Sequence, residues 1–266
     1  TTPGNTFNTN ADATGSNTEV NGTADTDGWV KTDFGKAKVN SDGTITYVPD
    51  ENYSGKDTFT YTTVTDNESK TFTVEVTVNP AADAPDLPHE DSADPNVSAI
   101  TIETPEDKAK QLGLKLPVIT DNTDQNGPAA DSGDNPERLG AITLTLEGAP
   151  AGTTLSTTGF PTLTPNGDGE IIIVISSGGT NPDTSLHHAD MLGAAEAGVY
   201  YLTQAQYEAI TANPAADRHE NFEVVVKVSS YEVDDTGVPL ADSAVVGSNG
   251  AESTQTITVD VQAVTD

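Results

Sequence analysis

Short runs in which apolar and polar residues alternate recur along the chain, and a period of two is the signature of strands with one buried face. The clearest are residues 44–48 (Thr-Ile-Thr-Tyr-Val), 57–64 (Asp-Thr-Phe-Thr-Tyr-Thr-Thr-Val) and 71–78 (Thr-Phe-Thr-Val-Glu-Val-Thr-Val). One side of each carries Phe, Tyr, Val and Ile and the other Thr, Lys and Glu, as a sheet buried on one face requires. Ser41-Asp42-Gly43 supplies a turn before the first run. These elements predict a small β-sandwich. Asn79-Pro80-Ala81-Ala82-Asp83-Ala84-Pro85-Asp86 then ends the ladder, because proline removes a donor and restricts the residue before it. The expected domain boundary lies near residue 84, dividing the chain into 1–84 and 85–266.

Beyond it the pattern predicts strands over 139–147, 169–176, 223–231 and 254–264, the last alternating through Ile257, Val259 and Val261. Residues 189–197 and 203–212 place Met191, Leu192, Tyr207 and Ile210 among Ala, Glu and Gln, which suits short helices. Thr203 is a candidate cap, with Gln206 three positions on. Residues 120–138, 176–188 and 213–221 are long excursions, of a kind that is either a tolerated insertion or functional. The expected fold class is all-β: tandem β-sandwiches of Ig-like or cadherin-like type, the second with long loops and a short helical insertion.

Charge changes this picture. The 266 residues hold 42 acidic and 11 basic side chains, a formal net charge of −31. The split at Pro80 is uneven, with 5 basic and 12 acidic residues up to it (−7) and 6 basic and 30 acidic after it (−24). Such a surface repels nucleic acid and anionic lipid. There is no cysteine, so neither a disulfide nor a zinc–thiolate site staples the fold. No apolar run approaches the roughly 20 residues of a membrane helix, and Thr1 is not followed by a basic-then-apolar leader, so direct membrane insertion is not expected and the chain reads as a fragment.

Clustered carboxylates point instead to a hard cation, with Ca2+ at several sites the expected cofactor. Each of two strands delivers an Asp at its exit, at Asp83 and Asp266, and Thr104-Pro105-Glu106-Asp107 opens the second domain. Asp83 and Glu106 are therefore expected to meet as ligands of a junction ion. The alternative is that Asp83 caps a turn and Glu106 is solvated. Asp121, Asp124, Asp131, Asp134 and Glu137 crowd together with no base before Arg138. Like charges so close are hydrated in a loop or bridged by a cation. Glu232 and Asp234 follow a strand on one side of it and are candidates to share that ion. Asn166-Gly167-Asp168-Gly169-Glu170 reads as a tight hairpin connection more simply than as a calcium turn.

Two stretches resemble known families. Asp42-Gly43-Thr44-Ile45-Thr46-Tyr47-Val48-Pro49, Tyr53-Ser54-Gly55-Lys56-Asp57-Thr58-Phe59-Thr60-Tyr61 and Val64-Thr65-Asp66 resemble the cadherin-like tandem repeats of giant bacterial surface proteins. Residues 98–266 resemble modules of type I secreted, repeats-in-toxin adhesins. The resemblance runs through Thr104-Pro105-Glu106-Asp107, the 144–155 stretch, Asn221-Phe222-Glu223-Val224-Val225-Val226 and 257–266. The Leu186-His187-His188-Ala189-Asp190 stretch and the Asp217-Arg218-His219-Glu220-Asn221 run look like the peptide-binding module of those adhesins. The resemblance implies an extracellular place on the bacterial cell surface, modules in series with calcium within and between them, and monomers in a tandem array. The implied partner is a peptide or protein on another cell surface, read through a free C-terminal carboxylate.

Catalysis is not expected. His219-Glu220 lacks the second His of a metalloprotease helix, Gly-x-Ser-x-Gly does not occur, and no glycosidase pair stands out among the acids. For binding, Tyr200 and Tyr207 offer flat amphipathic surfaces, and His187, His188, Asp190, Asp217, Arg218 and His219 offer polar groups. An Arg in such surroundings is otherwise a partner for neighbouring carboxylates. Two other functions remain open: a purely structural calcium-stiffened extender, and a carbohydrate-binding module with a glycan as partner.

Overall fold

The computed structural model describes residues 17–51, 53–65, 68–119, 136–189, 196–234, 236–240 and 250–264. They form an all-β protein of two compact units, one ending at Pro80 and the other starting at Ala81. The division falls four residues before the expected boundary. Ala81 and Asp83 donate their backbone N–H groups to side chains of the second unit, so the Pro/Ala stretch past Pro80 belongs to that unit. Among the described residues no helix is long and apolar enough to cross a membrane.

The first unit contains β1 (Asn17–Val20), β2 (Val30–Lys31), β3 (Gly35–Val39), β4 (Ile45–Pro49), β5 (Gly55–Thr65) and β6 (Glu68–Val78). They make two three-stranded sheets, β1-β5-β6 and β2-β3-β4. Val20, Val30, Ala37, Val39 and Phe59 are buried between them, with Ile45, Tyr47, Val74 and Val76 packed alongside. The expected turn is present: Gly43 adopts φ 85°, its N–H donates to Asn40 O, and the Asp42 carboxylate accepts from Thr44 N at 3.0 Å.

The second unit contains β7 (Ala99–Pro105), β8 (Lys110–Gln111), β9 (Glu137–Leu139), β10 (Ile142–Glu147), β11 (Thr154–Thr157), β12 (Phe160–Leu163), β13 (Glu170–Gly178), β14 (Asn181–Pro182), β15 (Val199–Leu202), α1 (Gln204–Glu208), β16 (Thr211–Asn213), β17 (Phe222–Glu232) and β18 (Gly250–Gln262). An eight-stranded sheet follows the order β14-β13-β10-β17-β18-β7, with β15 on β13 and β9 on β17. A four-stranded sheet, β12-β11-β16-β8, faces the same apolar core. Most pairs are antiparallel, but β7 runs parallel to β18 and β15 parallel to β13.

Three expectations need correction here. The strand predicted over 139–147 is two strands, because Gly140 turns out of register to pass Tyr231; a Cβ on it would lie 3.0 Å from that ring. Residues 166–170 do not join a hairpin, since β12 and β13 lie in different sheets; the Asn166 carboxamide instead ties a turn by accepting from Asp168 N and Glu170 N, both at 2.9 Å. Among the described residues the helical insertion contains one helix of five residues, shorter than the predicted 203–212. Thr203 caps it in a capping box with Gln206, as the sequence predicts, but Val199–Leu202 pairs as a strand, and of the helix predicted over 189–197, residues 190–195 lie outside the described residues.

Candidate functional site

Strand β17 directs the site. Its inward stripe begins Phe222, Val224, Val226, Val228, all buried in the core, and continues with the same period as Ser230 and Glu232, which are 0% and 7% exposed. The apolar face thus ends in two buried polar side chains. Strand β9 lies beside this end with Glu137 opposite Glu232 and Leu139 opposite Ser230. Directly opposed residues of an antiparallel pair share a face, so two carboxylates meet there, Glu137 being only 2% exposed.

The segment after Pro80 covers this pair. Glu232 Oε1 accepts from Ala81 N at 2.8 Å, Glu137 Oε1 accepts from Asp83 N, and Ser230 Oγ donates to Asp83 O. Residues two apart on an extended segment aim their N–H groups the same way, so 81–83 seat on the carboxylates as an added edge. Asp83 itself is exposed. Arg138, outward on β9, donates to the Glu137 carbonyl at 2.7 Å, and burial lowers its pKa.

Two ionised carboxylates brought together away from water repel and lose hydration, at several kcal/mol per buried ion unless compensated. The Ala81 and Asp83 N–H groups are among the donors that compensate here. The donor set, all oxygen and anionic, suits a hard divalent cation such as Ca2+ and not a soft metal. Among the described residues no group of three or more His, Asp or Glu stands in metal-holding geometry. Asp121, Asp124, Asp131 and Asp134, in the segment that leads into β9, lie outside the described residues.

Glu106 does not join Asp83. Because β7 runs parallel to β18, its end at Pro105 stands opposite Gln262, while Ser230, which holds Asp83, stands opposite Ala251. Eleven residues of β18 separate those positions, about 35 Å at ~3.3 Å per residue. At the far end Glu106 Oε1 accepts from Val264 N at 2.7 Å and its Oε2 lies 4.0 Å from His219 Nδ1. Asp107, at φ 60°, accepts from Asp217 N at 3.0 Å. Arg218 grips Glu220 with two bonds of 3.0 and 2.5 Å, and that hydrogen bond lowers the Glu220 pKa. Asp234 is committed to a turn, accepting from Thr236 Oγ1 and N and from Val238 N, with the Thr236 hydroxyl foremost in lowering its pKa.

The other expected ligand-binding residues are scattered. His187 is 1% exposed; its Nε2 accepts from Ile175 N at 2.9 Å and its Nδ1 donates to Gly140 O at 3.0 Å. It staples strands together and has no nitrogen left for a ligand, and burial lowers its pKa. His188 packs edge-on against Tyr231 at 5.1 Å. Tyr207 is a core residue, 1% exposed, its hydroxyl pKa raised by desolvation. The Tyr200 hydroxyl accepts from Thr164 N and donates to Thr164 O. Asp190 lies outside the described residues.

One buried carboxylate escapes the sequence reading altogether. Asp57, in β5 of the first unit, is 1% exposed and accepts from Thr32 Oγ1 at 2.6 Å, Tyr47 OH at 2.9 Å, Phe34 N at 3.3 Å and Thr58 N at 2.7 Å. Desolvation, then the bond to Asp57, raises the Tyr47 pKa. Its only signal in the sequence is an Asp on the inward side of an otherwise apolar stripe.

The bacterial Ig domain family model matches residues 1–79, which coincide with the first unit and support its reading as an Ig-like module. No curated protein matches the chain. Among solved structures, a point variant of an endo-fucoidan hydrolase from glycoside hydrolase family 107 is 13% identical, with a TM-score of 0.23 over 89% of this chain and 23% of its own. Mouse protocadherin-24 EC1-3 is also 13% identical, with a TM-score of 0.21 over 85% of this chain and 53% of its own. The chain thus spans about a quarter of the first and half of the second, and neither superposition defines a shared arrangement.

Proposed function

We propose that the chain is a spacer segment of an extracellular bacterial surface adhesin, non-enzymatic, in which Ca2+ at Glu137 and Glu232 fixes residues 81–83 against strands β9 and β17. The Ig-like first unit supports the adhesin setting. The observation that carries the calcium reading is the buried, face-to-face pairing of Glu137 with Glu232 beneath the Ala81 and Asp83 N–H groups. Two carboxylates held side by side offer the oxygen ligands that a hard cation such as Ca2+ prefers. The chain's own part is to hold the two carboxylates on neighbouring strands.

Reach rather than peptide capture is the reading this geometry favours. His187 and Tyr207 are structural, and Arg218 and His219 lie at the opposite end of the sheet from His188. The test is thermal unfolding in millimolar Ca2+, in Mg2+ and in chelator, with an array of free-carboxylate peptides and glycans probed in Ca2+. Calcium should raise the second unit's unfolding temperature by about 5–10 °C, as a ligand at roughly a hundredfold excess over Kd stabilises by ~2.7 kcal/mol. Identical melting in calcium and chelator contradicts the calcium site. Peptide capture that C-terminal amidation abolishes would replace the spacer with an adhesion module.

A further inference from the structure

The first unit carries a feature that its role as a spacer does not use. Trp29 is the chain's only tryptophan. A turn built by Asp25 presents it: the Asp25 carboxylate accepts from Asp27 N and Trp29 N, both at 2.9 Å, and Asp25 N donates to Trp29 O at 2.8 Å. The indole is half-buried beside the outer face of the β2-β3-β4 sheet. Lys36 and Lys38, two apart on β3, alternate with the buried Ala37 and Val39 and so lie on that outer face. Their Nζ atoms lie 5.0 and 4.5 Å from the Trp29 ring centroid. Lys31 stands directly opposite Lys36 in the β2–β3 pairing.

Like charges in directly opposed positions are destabilising. These three lysines are three of only five basic residues up to Pro80, yet none forms a salt bridge among the described residues, in a chain of 42 acidic groups. Lys56, by contrast, pairs with Glu75 at 2.8 Å. The cluster borders a groove of about 550 Å³ lined by Trp29, Lys31, Lys36, Asp25 and Asp50, with Gly35 in its floor. A Cβ at Gly35 would come within 2.5 Å of Val48 O.

We propose that this groove binds an anionic polysaccharide, with a sugar ring on the Trp29 face, its carboxylate or sulfate on Lys31, Lys36 and Lys38, and hydroxyls on Asp25 and Asp50. An exposed cation–π contact is worth only about 0.5–1 kcal/mol, so an entering sugar displaces the lysines from the ring and retains them as counter-ions. The flat aromatic platform favours a sugar over an acidic peptide, whose carboxylates need cations but no ring. The net charge of −31 does not forbid this partner. Charges beyond ~8 Å are largely screened at physiological ionic strength, and the local field is that of the lysines.

The emission of the single tryptophan reads the site directly. The full chain, in chelator so that calcium plays no part, is titrated with polygalacturonate, dextran sulfate, neutral dextran and poly-glutamate at 0.1 M salt. A saturable change with the polyuronate or the sulfated dextran is expected, and which of them binds tighter identifies the anion. Neutral dextran and poly-glutamate should give none. Lys36→Gln with Lys38→Gln should weaken binding roughly fivefold or more, at ~0.5–1 kcal/mol per exposed charge, while Lys56→Gln, which removes a charge outside the groove, leaves it unchanged. Circular dichroism checks that the variants fold. No response to either anionic polysaccharide overturns the proposal, as does equal binding of dextran, equal binding of poly-glutamate, or an unaffected double variant.

Discussion

Asp57 in the first unit and the Glu137–Glu232 pair in the second are both carboxylates buried in sandwich interiors, and they are settled differently. Asp57 accepts four hydrogen bonds from neutral donors of its own unit, two hydroxyls and two backbone N–H groups. Such a group has its hydrogen-bonding capacity met within its own unit. Glu137 and Glu232 face each other, each taking one N–H from residues 81–83. A lone carboxylate ringed by hydroxyls and N–H groups is architecture; two carboxylates opposed in register are the arrangement on which the proposed Ca2+ site rests.

The largest expected effect breaks the first member of this comparison. Asp57→Ala leaves Thr32 Oγ1 and the Phe34 and Thr58 N–H groups without this acceptor, and Tyr47 OH with Phe34 O alone, and should destabilise the first unit by about 3 kcal/mol, the scale of disrupting a buried hydrogen-bond network. Urea unfolding should show this equally with and without calcium. Glu137→Gln and Glu232→Gln should behave oppositely: in chelator each should change stability by less than about 1 kcal/mol, since relieved repulsion offsets a weakened hydrogen bond. In calcium each should forfeit most of the ~2.7 kcal/mol that a hundredfold excess of ion supplies.

The third prediction concerns pH. Burial depresses the folded pKa of His187 below its ordinary 6.5, so the unfolded chain binds the proton first. Its contribution is present above pH ~6.5 and is lost as pH falls through the interval from there to the folded value, at up to about 1.4 kcal/mol per pH unit. A protonated ring could no longer accept from Ile175 N. Comparing denaturant unfolding of wild type and His187→Gln between pH 7 and pH 5 should show this slope in the former alone. The smallest effect is expected at the far end of the sheet. Arg218→Ala breaks an exposed pair with Glu220, and chemical unfolding should register a change within about 0.5 kcal/mol.

Much of the fold was legible because periodicity and turn chemistry act locally. The Phe222, Val224, Val226, Val228 stripe, the Asp42-Gly43 turn and the Thr203–Gln206 capping box each declare themselves over a few residues. Strand order does not. Glu106 opens the second domain in sequence yet lies at the opposite end of the sheet from Asp83, because β7 runs parallel to β18 and ends opposite Gln262, while Ser230, which holds Asp83, lies opposite Ala251. His187 reads as a polar loop residue, and only the crossing of Ile175 and Gly140 turns it into a core staple. Glu232 was singled out for its charge, whereas what distinguishes it is its place on the inward stripe. Reading that stripe past its last valine would have found the site.

The most direct test of the carboxylate pair is calorimetric titration of calcium into the chain and into the Glu137→Gln, Glu232→Gln double variant, each first stripped with chelator. The account predicts that the variant lacks one site that the wild type fills, together with the calcium-dependent rise in the second unit's unfolding temperature. Equal stoichiometry, affinity and stabilisation in the two proteins would contradict it, leaving the facing carboxylates as a feature of packing alone.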